Sequence, residues 1–122
     1  MATKFRFLEW QVYRDSKDLF SDVLRIVNKL PREYRFDLGG QIVRSGFSIM
    51  LNIAEGSGKA TDKDFNHYLD ISLGSLYELV ASLDILRDNK IITEKEFQSL
   101  FNKSSTISGQ LGGFKKKLRN SS

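Results

Sequence analysis

The stretch that decides the fold is Leu38–Gly58, LGGQIVRSGFSIMLNIAEGSG. Wound at about 100° per residue, it puts Leu38, Ile42, Gly46, Ile49, Met50 and Ile53 on one side of a helix. Val43, Phe47, Leu51 and Ala54 carry the apolar surface round to the next side, and Gln41, Arg44, Ser45, Ser48, Asn52 and Glu55 share the remaining polar stripe. A surface helix with one buried face shows an apolar stripe about 100° wide, and this arc is roughly twice that. Such a helix is expected to pack on two sides. One side serves its own bundle; the other, through Val43, Phe47 and Leu51, is read as an interface with a second copy of the chain, although Phe47 has an alternative place in the core of a single chain.

The polar stripe has two readings of its own. Gln41, Ser45, Ser48 and Asn52 either face water or meet partners on another helix, and their small size and lack of lysine or aspartate are unusual for a solvated face. Arg44 and Glu55 are three turns apart, too far to pair within one helix, and Glu78 is a candidate partner for Arg44. Gly56-Ser57-Gly58 is expected to end the helix, with glycine supplying a left-handed C-cap.

Outward from this helix, only helical periods appear. The first helix is expected over residues 9–29, with heptad rows Val12–Leu19–Ile26, Tyr13–Phe20–Val27 and Ser16–Val23–Leu30. Leu30-Pro31 stops it, because the residue before proline avoids the α region. The connector Pro31–Phe36 has room for a short turn, and Asp37 is a suitable N-cap for the second helix, expected over 38–56. The third, over 62–89, starts at the box-like Thr61-Asp62-Lys63-Asp64, with a shorter arm than the usual glutamate. Phe65, Leu69, Ser72, Leu76, Leu79, Leu83 and Leu86 give it a bundle seam at alternating spacings of four and three. Asn89-Lys90 closes it, and Thr93-x-x-Glu96 is a full capping box for the fourth helix, over 93–118. There Phe97, Leu100, Ser104, Ile107, Leu111, Phe114 and Leu118 form a second seam. Gly109, Gly112 and Gly113 interrupt it at about 1 kcal/mol each, so the far end is expected to bend or fray and the last residues to be disordered. The architecture predicted is all-α: one domain, residues 1–122, folded as an antiparallel up-down-up-down four-helix bundle.

Composition narrows the chemistry. The 122 residues contain no cysteine and one proline, so no disulfide framework or cysteine metal site exists. The opening MATKFRFLEWQ has neither an apolar run nor a cleavage pattern, no stretch is long and apolar enough to span a membrane, and the cytoplasm is the expected compartment. The net charge of +4 is unevenly spread: residues 1–61 carry ten basic and seven acidic side chains, 62–102 four and eight, and 103–122 five and none. An acidic third helix and a basic end bear on how helices or subunits pair.

His67 is the single histidine. Asp64-x-x-His67 has the spacing of half a di-metal carboxylate site, but the second half is missing. A haem would use His67 with Met50, a pair that bundles contain by chance. No arginine neighbours His67 in the manner of RNA-cleaving helical domains, and no nucleophile–base signature surrounds it. Gly56-Ser57-Gly58-Lys59 is no P-loop, since Ile53 takes the first glycine position, Ala60 follows the lysine and no strand precedes it. No enzyme activity, metal or cofactor is expected; the competing reading is a bundle enzyme or metal or haem carrier centred on His67. Lys115, Lys116, Lys117 and Arg119 form a basic cluster. It either complements a helix C-terminus or contacts phosphates of RNA or DNA, joined by Arg14, Lys17, Arg25, Lys29, Arg32 and Arg35. With no base-reading module recognisable, such binding would follow backbone charge or shape, and an oligomer would multiply it.

These residues also carry a family resemblance. Trp10-Gln11, Leu30-Pro31 with Glu33, Leu38-x-x-Gln41-Ile42-x-Arg44, Ser48-Ile49-x-x-Asn52-Ile53-Ala54-Glu55-Gly56, Phe65-x-x-x-Leu69 and Gly74-Ser75-Leu76-x-Glu78-Leu79 span most of the chain. Together they resemble the 23S rRNA intervening-sequence proteins, also described as S23 ribosomal protein-like. The resemblance implies a short antiparallel four-helix bundle in which Gln41, Arg44, Asn52, Glu55, Gly56 and Glu78 are signature or packing residues. Some related proteins are homopentamers with a central channel, and a related group, accessory proteins of diversity-generating retroelements, binds a reverse transcriptase and nucleic acid. The implied partners are therefore other copies of the chain, RNA or DNA, or a protein. Val43 replaces the first member of an arginine pair, Ser45-Gly46 a pair of alanines, and Met50-Leu51 a proline and a small polar residue. The first change weakens anion binding at this helix; the last enlarges its apolar side.

Overall fold

The computed structural model describes residues 4–121, with side chains through Leu118. A 3-10 turn, Arg6–Glu9, precedes α1 (Gln11–Val27), α2 (Arg32–Arg35), α3 (Asp37–Ser57), α4 (Asp62–Asp88) and α5 (Glu94–Ser121). No strand occurs among the described residues. Four long helices thus form an all-helical bundle, with α2 as a single turn in the connector after Pro31.

Cross-contacts define the pairing. Gly56 of α3 lies against Phe65 and Tyr68 of α4, Ile49 against Ser72, Ser48 against Ser75 and Gln41 against Glu78. On the other flank, Asp15 and Asp22 of α1, and Lys29 just beyond its end, meet Gln110, Lys103 and Glu96 of α5. Position rises along one helix as it falls along its neighbour, so both pairs run antiparallel. Asp70–Lys115 and Arg87–Glu94 give the same direction for α4 and α5, and Val27–Gly39 with Phe20–Gly46 for α1 and α3. The order around the bundle is α1, α3, α4, α5.

The core follows the heptad rows. Val12, Leu19, Val23 and Ile26 of α1 meet Ile42, Ile49 and Ile53 of α3, the α4 row Leu69–Leu86, and Phe97, Leu100, Ile107 and Leu111 of α5, all buried. At one end Trp10 stacks on Phe65 at 5.9 Å and meets Phe114 at 4.9 Å.

Several local expectations are corrected. Residues 9 and 10 do not continue α1 upstream, because Trp10 is extended at its N-cap and turns its ring into the aromatic cluster. Asp37 is not a cap but the first residue of α3, and Phe36 at the cap position already has helical angles, so the chain enters from α2 almost without a break. Leu38, assigned to the inner side, is 43% exposed. Gly56-Ser57-Gly58 ends α3 as expected, with Ser57 its last residue and Gly58 its C-cap, but Gly58 has φ −91° and no described glycine has a positive φ, so the cap is not left-handed. The left-handed cap sits elsewhere, at Lys90 with φ 60°. Its amide donates to the Arg87 carbonyl at 3.0 Å while that of Ile91 donates to Leu86 at 2.9 Å, the paired bonds of a Schellman ending. The three α5 glycines do not end their helix, which is continuous to Ser121, because Ile107, Leu111 and Phe114 anchor it to the core through that region. Thr93 and Glu96 form the capping box as read: the Glu96 amide donates to Thr93 Oγ1 at 3.0 Å and the Thr93 amide to Glu96 Oε1 at 2.9 Å.

Candidate functional site

The two flanks of α3 differ in kind. Towards α4, its short polar side chains are partnered. Ser48 and Ser75 share a hydrogen bond of 2.8 Å, and Asn52 Nδ2 donates to the Ser48 carbonyl at 2.8 Å and to Ser48 Oγ at 2.9 Å. Ser72, fully buried in the α4 seam, donates to the Ile49 carbonyl at 2.7 Å. Ser45, placed by periodicity in the polar stripe, is buried and donates back to the Ile42 carbonyl at 2.9 Å. Further along, Arg44 donates to Gln41 Oε1 at 2.8 Å and Gln41 to Glu78 at 3.4 Å. Glu78 therefore meets Arg44 only through Gln41. Glu55 pairs with Lys59 at 3.3 Å, and the Lys59 ammonium also lies over the Tyr68 ring. The hydrogen bond that Lys59 donates to Glu55, with Tyr68 adding to it, raises the Lys59 pKa.

Gly56 completes this flank by its lack of a side chain. A Cβ there would lie 2.8 Å from Tyr68 Cβ and 2.9 Å from Phe65 Cδ1. The close approach of α3 and α4 at this point requires glycine. Of the residues read as signature or packing positions, Gln41, Glu78 and Gly56 meet across the α3/α4 seam, Arg44 and Asn52 bond within α3 to Gln41 and Ser48, and Glu55 pairs with Lys59.

Towards α1, the flank is apolar and open. Phe47 stacks on Phe20 with ring centroids 5.5 Å apart yet remains 46% exposed. Leu51, one turn on, is 49% exposed, and Leu24 on α1 is 43% exposed. Val43 is half-buried. The predicted row is present, and Phe47 serves both the α1 contact and the surface.

The remaining candidates are not gathered into a site. His67 is exposed, edge-on to Tyr68, with Asp64 exposed one turn away. Among the described residues no cluster of three or more potential metal ligands occurs, and no helix is long and apolar enough to cross a membrane. Lys115 turns inward, to Asp70 and, at 3.1 Å, to Asn66. Lys116 and Lys117 are exposed, while the Arg119 side chain lies outside the described residues. Lys29 and Arg25 are engaged with Glu96 and Asp22, and Lys29 together with the Thr93 amide lowers the Glu96 pKa. Sequence reasoning missed the buried bonds of Ser45 and Ser72; the one signal for the latter was a serine standing in an otherwise leucine-rich seam.

No curated protein matches the chain. A crystal structure from Bacteroides thetaiotaomicron, described as a protein with unknown function from the S23 ribosomal protein family, superposes with a TM-score of 0.80 at 28% identity, covering 86% of this chain and 98% of that one. The family model for the 23S rRNA-intervening sequence protein matches residues 9–113, which contain all four long helices except the end of α5, and the chain belongs to that family.

Proposed function

We propose that this protein is a non-enzymatic scaffold that assembles as a homo-oligomer through the outer face of α3 and, once assembled, offers its basic surface to RNA, DNA or a nucleic-acid enzyme. The observation that carries the reading is the row Phe47–Leu51 with Leu24, three large apolar side chains left roughly half exposed on one flank. Burying such side chains contributes about 25 cal/mol per Å² of apolar area, and single exposed leucines are ordinary whereas a contiguous row marks an interaction surface. Five is the expected number of copies, by resemblance to related homopentamers. Repetition of the exposed Lys116 and Lys117 in every copy gives weak phosphate contacts the benefit of avidity.

Light scattering tests the assembly. The expected mass is a multiple of the 14.0 kDa chain, reduced to one chain by Phe47→Glu. A strict monomer across micromolar concentrations overturns the reading. The nucleic-acid part has a separate measurement: affinity for a generic RNA that falls steeply as salt rises. Absence of binding at low salt removes that part and leaves a protein partner.

A further inference from the structure

We infer that the ridge where α2 runs into α3 is a stacking site for an unpaired nucleotide of a single-stranded nucleic acid, with Phe36 as the platform and Arg35 and Arg44 beside it for the phosphates. This rests on the nucleic-acid part of the reading above and gives it a site, at the opposite end of the bundle from Lys116 and Lys117. Phe36 is the most exposed large apolar side chain among the described residues, at 88%. Its backbone has helical angles, and its carbonyl accepts from the Gly40 amide at 3.0 Å. The ring therefore stands on an ordered helical turn, with its position set before anything binds. Tyr34, two residues earlier, is 48% exposed. Among the described residues neither ring pairs with another aromatic side chain.

Beside the Phe36 ring lies a cavity of about 450 Å³, bordered by Arg35, Gly40 and Arg44. Gly40, one turn after Phe36, has no side chain to fill it: a Cβ there would meet only Arg44 Nη1, at 3.5 Å. The Arg44 guanidinium thus lies over a bare turn next to the phenyl ring. Its orientation is fixed by donation from Nη2 to Gln41 Oε1 at 2.8 Å. Arg35 is fixed in the same manner, by donation to the Leu30 carbonyl at 3.2 Å. Both are held by neutral acceptors. Among the described residues neither they nor Arg32 has a carboxylate partner within ion-pair distance, whereas Arg25 and Lys29 nearby are answered by Asp22 and Glu96.

An open aromatic ring flanked by arginines is complementary to a nucleotide, whose base offers a π-face and whose phosphate offers negative charge. Asp37 also lines the cavity, and Glu33 is exposed nearby. Three arginines against two acids make too weak a field for binding by charge alone, so stacking has to carry the contact. A carboxylate repels phosphate but accepts from the N–H groups of a base edge, which favours a base in the opening over a bare anion. In a duplex both faces of each base are already covered, which confines the site to unpaired strands. The competing occupant is a second copy of the chain, because Phe36 lies about 16 Å before Phe47 on the same ridge of α3.

Fluorescence anisotropy at low salt tests the site. The probes are a labelled mixed-sequence RNA of about 12 nucleotides, inside the span of single-strand sites, its DNA counterpart and the annealed duplex. Phe36→Ala is expected to weaken binding of both single strands by about 5- to 150-fold, the loss of one stacked base, and to leave duplex binding unchanged. Phe36→Tyr is expected to restore the affinity. Stacking releases no counterions, so Phe36→Ala should keep the salt dependence of the wild type, while Arg44→Gln lowers its slope by about 0.7. Circular dichroism and light scattering check the fold and mass of each variant, and both are expected unchanged. Equal weakening for strands and duplex overturns the stacking site, as does a Phe36→Ala protein that binds strands like the wild type. If Lys116→Gln with Lys117→Gln weakens binding in that case, the basic-surface reading stands without this site. A fall in mass on Phe36→Ala assigns the ring to a second copy and overturns the inference too. A wild type that binds no strand at low salt removes the nucleic-acid reading and this inference together.

Discussion

Replacing Gly56 by alanine sets two opposed effects against each other, and the structure decides the sign. Alanine is favoured over glycine in a helix interior by about 1 kcal/mol. The new methyl, however, would stand 2.8 Å from Tyr68 Cβ, 2.9 Å from Phe65 Cδ1 and 3.3 Å from the Phe65 carbonyl oxygen. Carbon–carbon contacts are comfortable at about 3.5–4.0 Å, and Cβ and carbonyl atoms cannot swing away by a rotamer change. Relief requires α4 to move, and α4 is held to α3 by Ser72 to Ile49 and Ser48 to Ser75 along the same seam. Overpacking of this kind costs about 1–3 kcal/mol, so the net expectation is a loss of up to about 2 kcal/mol. Gly109→Ala is the control: nothing lies within 4 Å of its added Cβ, and a gain of about 0.5–1 kcal/mol is expected. Thermal unfolding by circular dichroism at one fixed protein concentration reads both, at about 3–6 °C per kcal/mol for a chain of this size. If Gly56→Ala melts at or above the wild type, close packing at this point is not what the glycine provides.

Lys90→Gly should raise the unfolding midpoint in urea by an amount equivalent to about 0.5–1 kcal/mol, because a left-handed residue with φ 60° loses its Cβ clash in the Schellman ending; a lower midpoint would contradict the cap geometry. Thr93→Ala should cost about 1 kcal/mol in the same assay by opening the capping box. The Glu96 carboxyl is held below its ordinary pKa by Lys29 and the Thr93 amide, so its contribution to stability is present above the ordinary glutamate value and lost as pH falls through the lower folded value. Glu96→Gln should therefore flatten part of the acid-side decline in stability below about pH 4, and an unchanged pH profile would count against that coupling.

The bundle was legible because its signal is periodic. The four-three spacing from Leu69 to Leu86 marks residues that are all buried in the structure, Ser72 included, and the α5 row from Phe97 to Leu111 behaves the same way. The glycines of α5 misled because helix propensity is a local quantity of about 1 kcal/mol per residue, whereas Ile107, Leu111 and Phe114 hold that segment against the core. The polar stripe of α3 was ambiguous for a different reason. A serine facing water and a serine bonded across a close helix pair have the same sequence signature; only the neighbour differs. Gly56 stands at the helix end as read, but its close approach to α4 was hidden likewise, since a glycine near a helix end fits a cap or a close approach equally well until its φ and the position of Tyr68 are known.

The structure also divides the wide apolar arc that first suggested two packing sides. Met50 turns into the bundle and is buried, whereas Leu51, its neighbour, points outward beside Phe47. The enlarged apolar surface is thus two contributions with separate consequences. Trimming Met50 removes core volume and acts on the stability of each chain. Trimming Leu51 removes surface that the chain itself leaves half exposed, and so acts mainly on whatever covers it. Phe47 belongs to both groups, because one side of its ring rests on Phe20. That ordering makes Leu51, rather than Phe47, the cleaner probe of association: a change there separates the mass of the assembly from the stability of its parts, while a change at Phe47 mixes the two.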